Sequence, residues 1–104
     1  MQKVKDFLTR DNWARHFQGR NAQGQACFYN EEQTVSWDLY GAIMLCYQGR
    51  PLEKSKAFED VKAAAELLYP NLTEAHPDSL FSLNLFNDLS TFEDIQAVLE
   101  LADI

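Results

Sequence analysis

The chain has 104 residues, 46% of them apolar and 24% charged, and a formal net charge of −7. This length and apolar content predict a single folded domain and exclude a disordered polyelectrolyte. No apolar run reaches the roughly 20 residues that span a bilayer, so an integral membrane protein is excluded as well. Residues 1–6 contain no apolar leader, and we therefore expect a cytoplasmic protein.

The charge is unevenly distributed along the sequence. Residues 1–50 carry six basic and five acidic side chains, whereas residues 51–104 carry three basic and eleven acidic ones. Nucleic-acid binders usually present a basic surface, so direct nucleic-acid binding is disfavoured. The interpretation we favour for the acidic half is a solvated surface that keeps the protein soluble, although a basic partner would also be attracted to it.

The first half of the chain changes character twice. Val4, Phe7 and Leu8 have helical spacing, which predicts a helix over Lys3–Arg10. Helical periodicity then disappears, and two short runs around a loop with Gly and Asn follow. The sequence leaves two alternatives open for residues 13–34, a short β-hairpin or an ordered loop.

A central helix is predicted over residues 36–47, with Ser36 as its N-cap. Its stretch Leu39–Tyr47 is apolar all the way round, which is typical of a helix packed on several sides. Gly41 costs about 1 kcal/mol of helix propensity relative to Ala. We therefore expect Gly41 to permit the close approach of another backbone segment.

Three further helices are predicted after this one. The spacing of apolar residues predicts a helix over 53–69, and Pro77-Asp78-Ser79 is a start signal for a short helix over 80–86. A capping box of Ser90 and Glu93 predicts the start of the last helix. The predicted fold is thus a mostly α domain of four or five helices packed around the central one.

No motif for metal or cofactor chemistry is recognised in the sequence. The two cysteines, Cys27 and Cys46, do not have the spacing of zinc ligands, and the common nucleotide-binding and esterase motifs do not occur. We expect no metal and no cofactor, and we interpret both cysteines as small packing residues. Whether the two cysteines lie close together cannot be derived from their positions in the chain.

Polar and aromatic residues alternate in three short segments, around positions 13–17, 36–38 and 86–88. Aromatic rings surrounding a few polar groups are typical of ligand pockets, so these residues are candidates for a shallow binding pocket. A structural role is the interpretation we favour for each of them, because carboxylates favour helix starts and tryptophans anchor cores. The candidate binding residues are Trp13, Arg15, His16, Trp37, Asp38, Asn87 and Asp88.

Several landmarks in chain order resemble a small uncharacterised bacterial and phage family, catalogued as domain-of-unknown-function family 6197. They are Trp13, the loop segment 21–24, the helix centre Gly41-Ala42-Ile43, and the segment 86–95. The chain departs from the family pattern in having Phe86 where that pattern favours Trp. The resemblance implies a compact helical fold and supplies no mechanism.

The sequence supports three hypotheses for function. The first is a non-catalytic domain that binds another protein, with the Trp13–Phe17 segment and the acidic C-terminal half flanking the contact surface; a homo-oligomer is compatible with it. The second is a small-ligand-binding protein or minor enzyme that uses a pocket of Trp13, His16 and Asp88. The third is an acidic inhibitor that imitates a nucleic acid.

Overall fold

The structure, a computed structural model, describes residues 2–70 and 79–104 of the chain. The segment 71–78, which contains the predicted start signal Pro77-Asp78, lies outside the described residues. A small antiparallel sheet accompanies the described helices. The elements are α1 (Val4–Phe7), β1 (Gly19–Arg20), β2 (Ala26–Cys27), β3 (Ser36–Trp37), α2 (Leu39–Cys46), α3 (Pro51–Leu68), α4 (Ser79–Leu89) and α5 (Phe92–Ala102).

The sheet has the strand order β2-β1-β3, and both pairs are antiparallel. β1 and β2 form the hairpin that was one of the two alternatives, with Gly19 opposite Cys27. The third strand was not predicted, because two residues are too few for an alternating pattern to be visible. Ser36 lies in this strand, so its predicted role as a helix cap is wrong.

α2 begins at Leu39, three residues later than predicted, because Asp38 is its N-cap. The Asp38 carboxylate accepts a hydrogen bond from the backbone N–H of Gly41 at 2.6 Å. The helix contacts α1, β3, α3 and α4. Four of its residues are buried and the other four are half-buried; the buried ones are Leu39, Gly41, Ala42 and Ile43.

Gly41 makes the close backbone contact that its place in the helix predicted. A Cβ atom at this position would lie 2.0 Å from the carbonyl oxygen of Gln18, well inside van der Waals contact. Gln18 belongs to the segment between α1 and β1, so glycine allows this segment to lie directly on α2.

The apolar core lies where α3 packs against α2, α4 and α5. Val61 of α3, Phe86 of α4 and Ile95 and Val98 of α5 are each 0% exposed. Burial of a side chain of this size contributes about 1.5–3 kcal/mol, so these helix faces supply most of the apolar stabilisation. None of the described helices is both long and apolar enough to cross a membrane.

The last helix has a capping box, one residue later than predicted. Thr91 accepts from the N–H of Asp94, and the Asp94 carboxylate accepts from the N–H of Thr91 at 3.1 Å. The predicted pair Ser90 and Glu93 is therefore wrong. Ser90 is buried at 1% exposure, and Glu93 forms an ion pair with Arg10.

The N-terminal helix is shorter than predicted, and its end is defined by a side chain. Asn12 donates from its amide to the carbonyl of Phe7 at 3.0 Å and accepts from the N–H of Thr9. These bonds replace the next helical turn, so the chain leaves the helix before Arg10.

We expect Gly41→Ala to destabilise the protein, although alanine normally stabilises an interior helix position by about 1 kcal/mol. The added methyl group would collide with the backbone of Gln18, and overpacking of this kind costs about 1–3 kcal/mol or more. Urea denaturation measures the effect. Ser55→Ala, at an exposed position of α3, is the control and should change stability by less than about 0.5 kcal/mol. A stabilised Gly41→Ala variant would show that the contact does not exist.

Candidate functional site

A cleft of about 210 Å³ lies where the segment between α1 and β1 meets α2 and α4. We call it the His16–Asp88 cleft. It combines one imidazole, two carboxylates, two amides and two aromatic rings. The lining residues are His16, Phe17, Gln18, Asp38, Tyr40, Asn84 and Asp88.

His16 and Asp88 are joined by both backbone and side chain. The N–H of His16 donates to Asp88 Oδ1 at 2.8 Å, and His16 Nδ1 lies 3.4 Å from Asp88 Oδ2. His16 has a φ of +70°, in the left-handed region that few residues with a side chain adopt. The hydrogen bond that Asp88 accepts from the backbone of His16 holds this conformation in place and thereby fixes the imidazole at the mouth of the cleft.

Asp38 is the buried acid of the cleft, with only 5% of its surface exposed. Burial raises the pKa of its carboxyl from 3.8 to about 7, the hydrogen bond from Gly41 opposes this increase, and the negative charge of Asp88 adds to it. The cleft therefore contains a carboxyl group that changes its charge near neutral pH.

Asn87 lies behind the cleft and is 1% exposed. Its Oδ1 accepts from Trp13 Nε1 at 2.8 Å and from the N–H of Leu39 at 2.9 Å. Its Nδ2 donates to the carbonyl of Ala14 at 3.1 Å and to Asp88 Oδ1 at 3.2 Å. One amide thus ties the segment before β1 to the start of α2 and to α4, and it orients Asp88.

Trp13 and Arg15 form a stack beside this amide. The guanidinium of Arg15 lies 4.7 Å from the centre of the Trp13 ring and donates to the carbonyl of Ser90. The Trp13 ring also packs against the ring of Phe92, and the two ring centroids are 5.9 Å apart. Both side chains support the wall of the cleft and do not line it.

Trp37 lies apart from the cleft lining. Its Nε1 donates to the carbonyl of Tyr29 at 2.8 Å, and its ring meets Phe7 edge-on with centroids 4.9 Å apart. Of the seven candidate residues, the structure brings His16, Asp38 and Asp88 into the cleft. Trp13, Arg15 and Asn87 lie behind them. Asn87 and Asp88 are located inside α4, which continues to Leu89, beyond the predicted end of this helix at residue 86.

Three lining residues were missed by the sequence analysis, namely Gln18, Tyr40 and Asn84; a fourth, Phe17, was named only as the end of the segment expected to flank a contact surface. One signal was available, because Asn84 and Asp88 are four residues apart and so share a face of any helix that contains both. Tyr40 was hidden among the apolar residues of α2. Phe17 and Gln18 belong to an irregular segment, in which the spacing of residues along the sequence does not indicate where their side chains point.

The described cysteines are both free. Cys27 is buried, with Sγ 3.1 Å from the hydroxyl oxygen of Thr34, and burial raises the pKa of the Cys46 thiol to about 11. Neither cysteine lines the cleft. Within residues 2–70 and 79–104, no group of three or more His, Cys, Asp or Glu side chains is arranged to hold a metal ion.

Comparison with known proteins identifies a family and no activity. The family model described as "Family of unknown function (DUF6197)" matches residues 1–103. No curated protein and no solved structure matches the chain. The cleft must therefore be interpreted from its own geometry.

We expect Asn87→Ala to destabilise the protein by at least about 3 kcal/mol. The substitution removes the hydrogen-bond partner of the indole N–H of Trp13, the N–H of Leu39 and the carbonyl of Ala14. Each buried polar group that is left without a hydrogen bond costs about 1–3 kcal/mol. Chemical denaturation measures the loss. Asn84→Ala, on the exposed side of the same helix, is the matched control; equal effects of the two substitutions would contradict the role of Asn87.

We expect Asp38→Asn to change how stability depends on pH. Between about pH 4 and pH 7 the folded protein retains a proton on Asp38 that the unfolded chain releases, so the wild type loses stability as pH rises through this range. The loss amounts to at most about 4 kcal/mol. The asparagine variant retains the helix cap but has no carboxyl to titrate, so it should not show this loss of stability. The stability of Asp38→Asn relative to the wild type should therefore increase with pH.

Thermal or urea denaturation between pH 4 and pH 8 tests this prediction. Asp38→Ala separates the two roles of the residue, because it removes the charge together with the cap and should be less stable than Asp38→Asn by about 1 kcal/mol at every pH. Parallel pH profiles for the wild type and Asp38→Asn would contradict a raised pKa.

Proposed function

The chain belongs to the family of unknown function DUF6197, and because that family supplies no activity, we propose a function from the cleft alone. The protein is a non-catalytic binding domain that accepts a basic side chain of a partner protein in the His16–Asp88 cleft. The observation that carries this proposal is the buried carboxyl of Asp38 beside the carboxylate of Asp88 in a cleft of about 210 Å³.

Electrostatics support a positively charged ligand. Burial makes the ionised form of Asp38 costly, and the nearby charge of Asp88 increases that cost. A guanidinium or ammonium group in the cleft would offset both contributions, because opposite charges attract more strongly at a partly desolvated site than in water. Binding and ionisation of Asp38 are therefore coupled, and each favours the other.

The size of the cleft supports a side chain over a whole cofactor. Pockets that bind drug-sized molecules enclose about 300–1,000 Å³, and this cleft is smaller. The rings of Phe17 and Tyr40 line the cleft and supply apolar contact for the stem of a basic side chain, and a planar guanidinium also matches the geometry of a carboxylate. Arginine is the basic residue that uses both features.

The position of the cleft in the fold supports a protein partner. One side is formed by His16 and Phe17, from the segment that was expected to flank a contact surface, and the other by Asn84 and Asp88 of the acidic C-terminal half. Phe17 is 40% exposed. A partner that inserts a basic side chain between these two walls would also cover this ring.

A second candidate, a small-ligand-binding protein or minor enzyme, is favoured by the His16–Asp88 pair. A carboxylate beside an imidazole nitrogen orients the ring and is a common feature of general bases. Native mass spectrometry of freshly purified protein distinguishes the two candidates. A mass increase from a retained small molecule favours the second, and the mass of the chain alone favours the first.

The third hypothesis, imitation of a nucleic acid, has less support. It requires the acids of the second half of the chain to lie together and to remain available to a basic partner. Asp60, Glu93 and Asp103 are each within ion-pair distance of a lysine or arginine of the protein itself. A nuclease or polymerase inhibition assay with the purified protein tests this hypothesis directly.

We expect N-acetyl-arginine amide to bind the cleft with a Kd on the order of 1 mM, as is typical of a single side chain. A titration followed by ¹H–¹⁵N NMR should move the amide signals of His16, Tyr40 and Asn84. N-acetyl-citrulline amide, which has the same shape without the charge, is the matched control ligand. The arginine affinity should increase from pH 6 to pH 8, because ionisation of Asp38 adds negative charge to the site.

Two variants connect this binding to the named side chains. Asp88→Asn retains an acceptor for the N–H of His16 and removes the charge, so it should weaken arginine binding by about tenfold. His16→Gly removes the imidazole at a positive φ that glycine adopts without strain, and should leave arginine binding in place. Equal affinity for arginine and citrulline, or shifts confined to other residues, would disprove the proposal.

A further inference from the structure

Each of the two carboxyl groups in the His16–Asp88 cleft has one oxygen that the fold itself uses. Asp38 Oδ1 accepts a hydrogen bond from the N–H of Gly41 at 2.6 Å. Asp88 Oδ1 accepts from the N–H of His16 at 2.8 Å and from Asn87 Nδ2 at 3.2 Å. These bonds fix the position of both carboxyl groups, so that only the second oxygen of each, Oδ2, remains for a ligand.

The two Oδ2 atoms have weak partners or none within residues 2–70 and 79–104. Asp88 Oδ2 lies 3.4 Å from His16 Nδ1, beyond the range of about 2.7–3.2 Å that is usual for an N–H···O hydrogen bond. The His16 side chain is 70% exposed, so its imidazole is free to turn toward solvent and leave this oxygen. Asp38 is 5% exposed and lines the cleft, and the described residues donate no hydrogen bond to its Oδ2. The cleft therefore contains a buried acceptor without a partner beside one that is easily released.

The side-chain amide of Asn87 sets the spacing of the two carboxyl groups. Its Nδ2 donates to Asp88 Oδ1, and its Oδ1 accepts from the N–H of Leu39, the residue after Asp38. The two carboxyl groups thus lie on the two sides of one planar amide and are separated by it. A ligand group that reaches both of them must carry N–H donors at two separate points.

The two basic side chains of proteins differ in this respect. A guanidinium presents five N–H donors on three nitrogens in a fixed plane, whereas an ammonium group carries its three donors on a single nitrogen. A guanidinium can therefore donate to one oxygen of each carboxyl group at the same time. Charge alone would not distinguish the two, because both carry one positive charge.

We propose that one guanidinium of the partner bridges the two carboxyl groups, with one nitrogen donating to Asp88 Oδ2 and another to Asp38 Oδ2. The imidazole of His16 leaves Asp88 Oδ2 when the guanidinium binds. The cleft is therefore specific for unmethylated arginine, because methylation retains the charge of arginine but blocks two-point hydrogen bonding. This inference rests on the proposed function and specifies how the basic side chain is held.

Three ligands of equal charge test the bridge. They are the Nα-acetyl amides of arginine, asymmetric dimethylarginine and lysine, titrated at pH 8, above the pKa of about 7 of Asp38. In ¹H–¹⁵N NMR titrations, arginine should bind about tenfold more tightly than either of the other two, because each of those loses one charge-assisted hydrogen bond. The citrulline compound remains the uncharged control.

Protein variants assign this preference to the two carboxyl groups. Asp38→Asn and Asp88→Asn each retain the acceptor that the fold uses and remove one of the two bridged carboxylates. In each variant the preference for arginine over lysine and dimethylarginine should fall to within about twofold, because one hydrogen bond of the bridge is already absent. Glu32→Gln makes the same change of charge at an exposed position outside the cleft and should retain the tenfold preference.

The readout is a ratio of affinities, which a loss of stability does not change. Lysine or dimethylarginine binding as tightly as arginine, with all three tighter than citrulline, would overturn the bridge and leave the proposed cation site standing. Equal binding of arginine and citrulline would overturn the proposed function and the bridge together. If size alone excluded the dimethylated compound, the preference would persist in both Asp38→Asn and Asp88→Asn, and that outcome would overturn the bridge as well.

Discussion

The side-chain amide of Asn87 is the interaction on which the candidate site depends. It accepts from the indole of Trp13 and from the N–H of Leu39, and it donates to the carbonyl of Ala14 and to Asp88. An amide is suited to this because it carries two donors and an acceptor with two lone pairs on one rigid plane. The segment between α1 and β1 has no regular structure of its own along most of its length. Its backbone bonds to β3 through the N–H of Ala14 and the carbonyl of Asn12, and Asn87 adds a bond to the carbonyl of Ala14 and one to the indole of Trp13.

The electrostatics of the cleft follow from the packing of that segment on α2. Because Gly41 has no side chain, the carbonyl of Gln18 lies against the first turn of α2. The same approach excludes water from Asp38, the cap of that turn, and burial is the main cause of its raised pKa. One steric feature, the absence of a Cβ at position 41, is thereby linked to the charge state of the cleft. The segment that contains Gln18 also contains His16, and it brings His16 into contact with Asp88.

The sequence predicted the helices better than the site, for physical reasons. Repeated apolar spacing located α3 and α5, and the propensity cost of Gly41 correctly predicted a close contact. The two predicted N-caps were misplaced by two residues and one residue, because Ser36, Asp38, Ser90 and Thr91 all have cap-forming side chains and only the fold selects among them. The convergence of His16 with Asp88 joins positions 72 residues apart. The second functional hypothesis placed these two residues in one pocket on their chemistry alone, because no local pattern encodes a pairing over this distance.

The uneven charge of the sequence has a partial explanation within the fold. The basic residues near the N-terminus pair with acids of the last helix and its end: Lys3 and Lys5 lie 2.8 and 2.7 Å from Asp103, and Arg10 pairs with Glu93. Each exposed pair contributes little to stability, about 0–1 kcal/mol, yet together they join the two ends of the chain. The N-terminal basic residues are thus engaged internally.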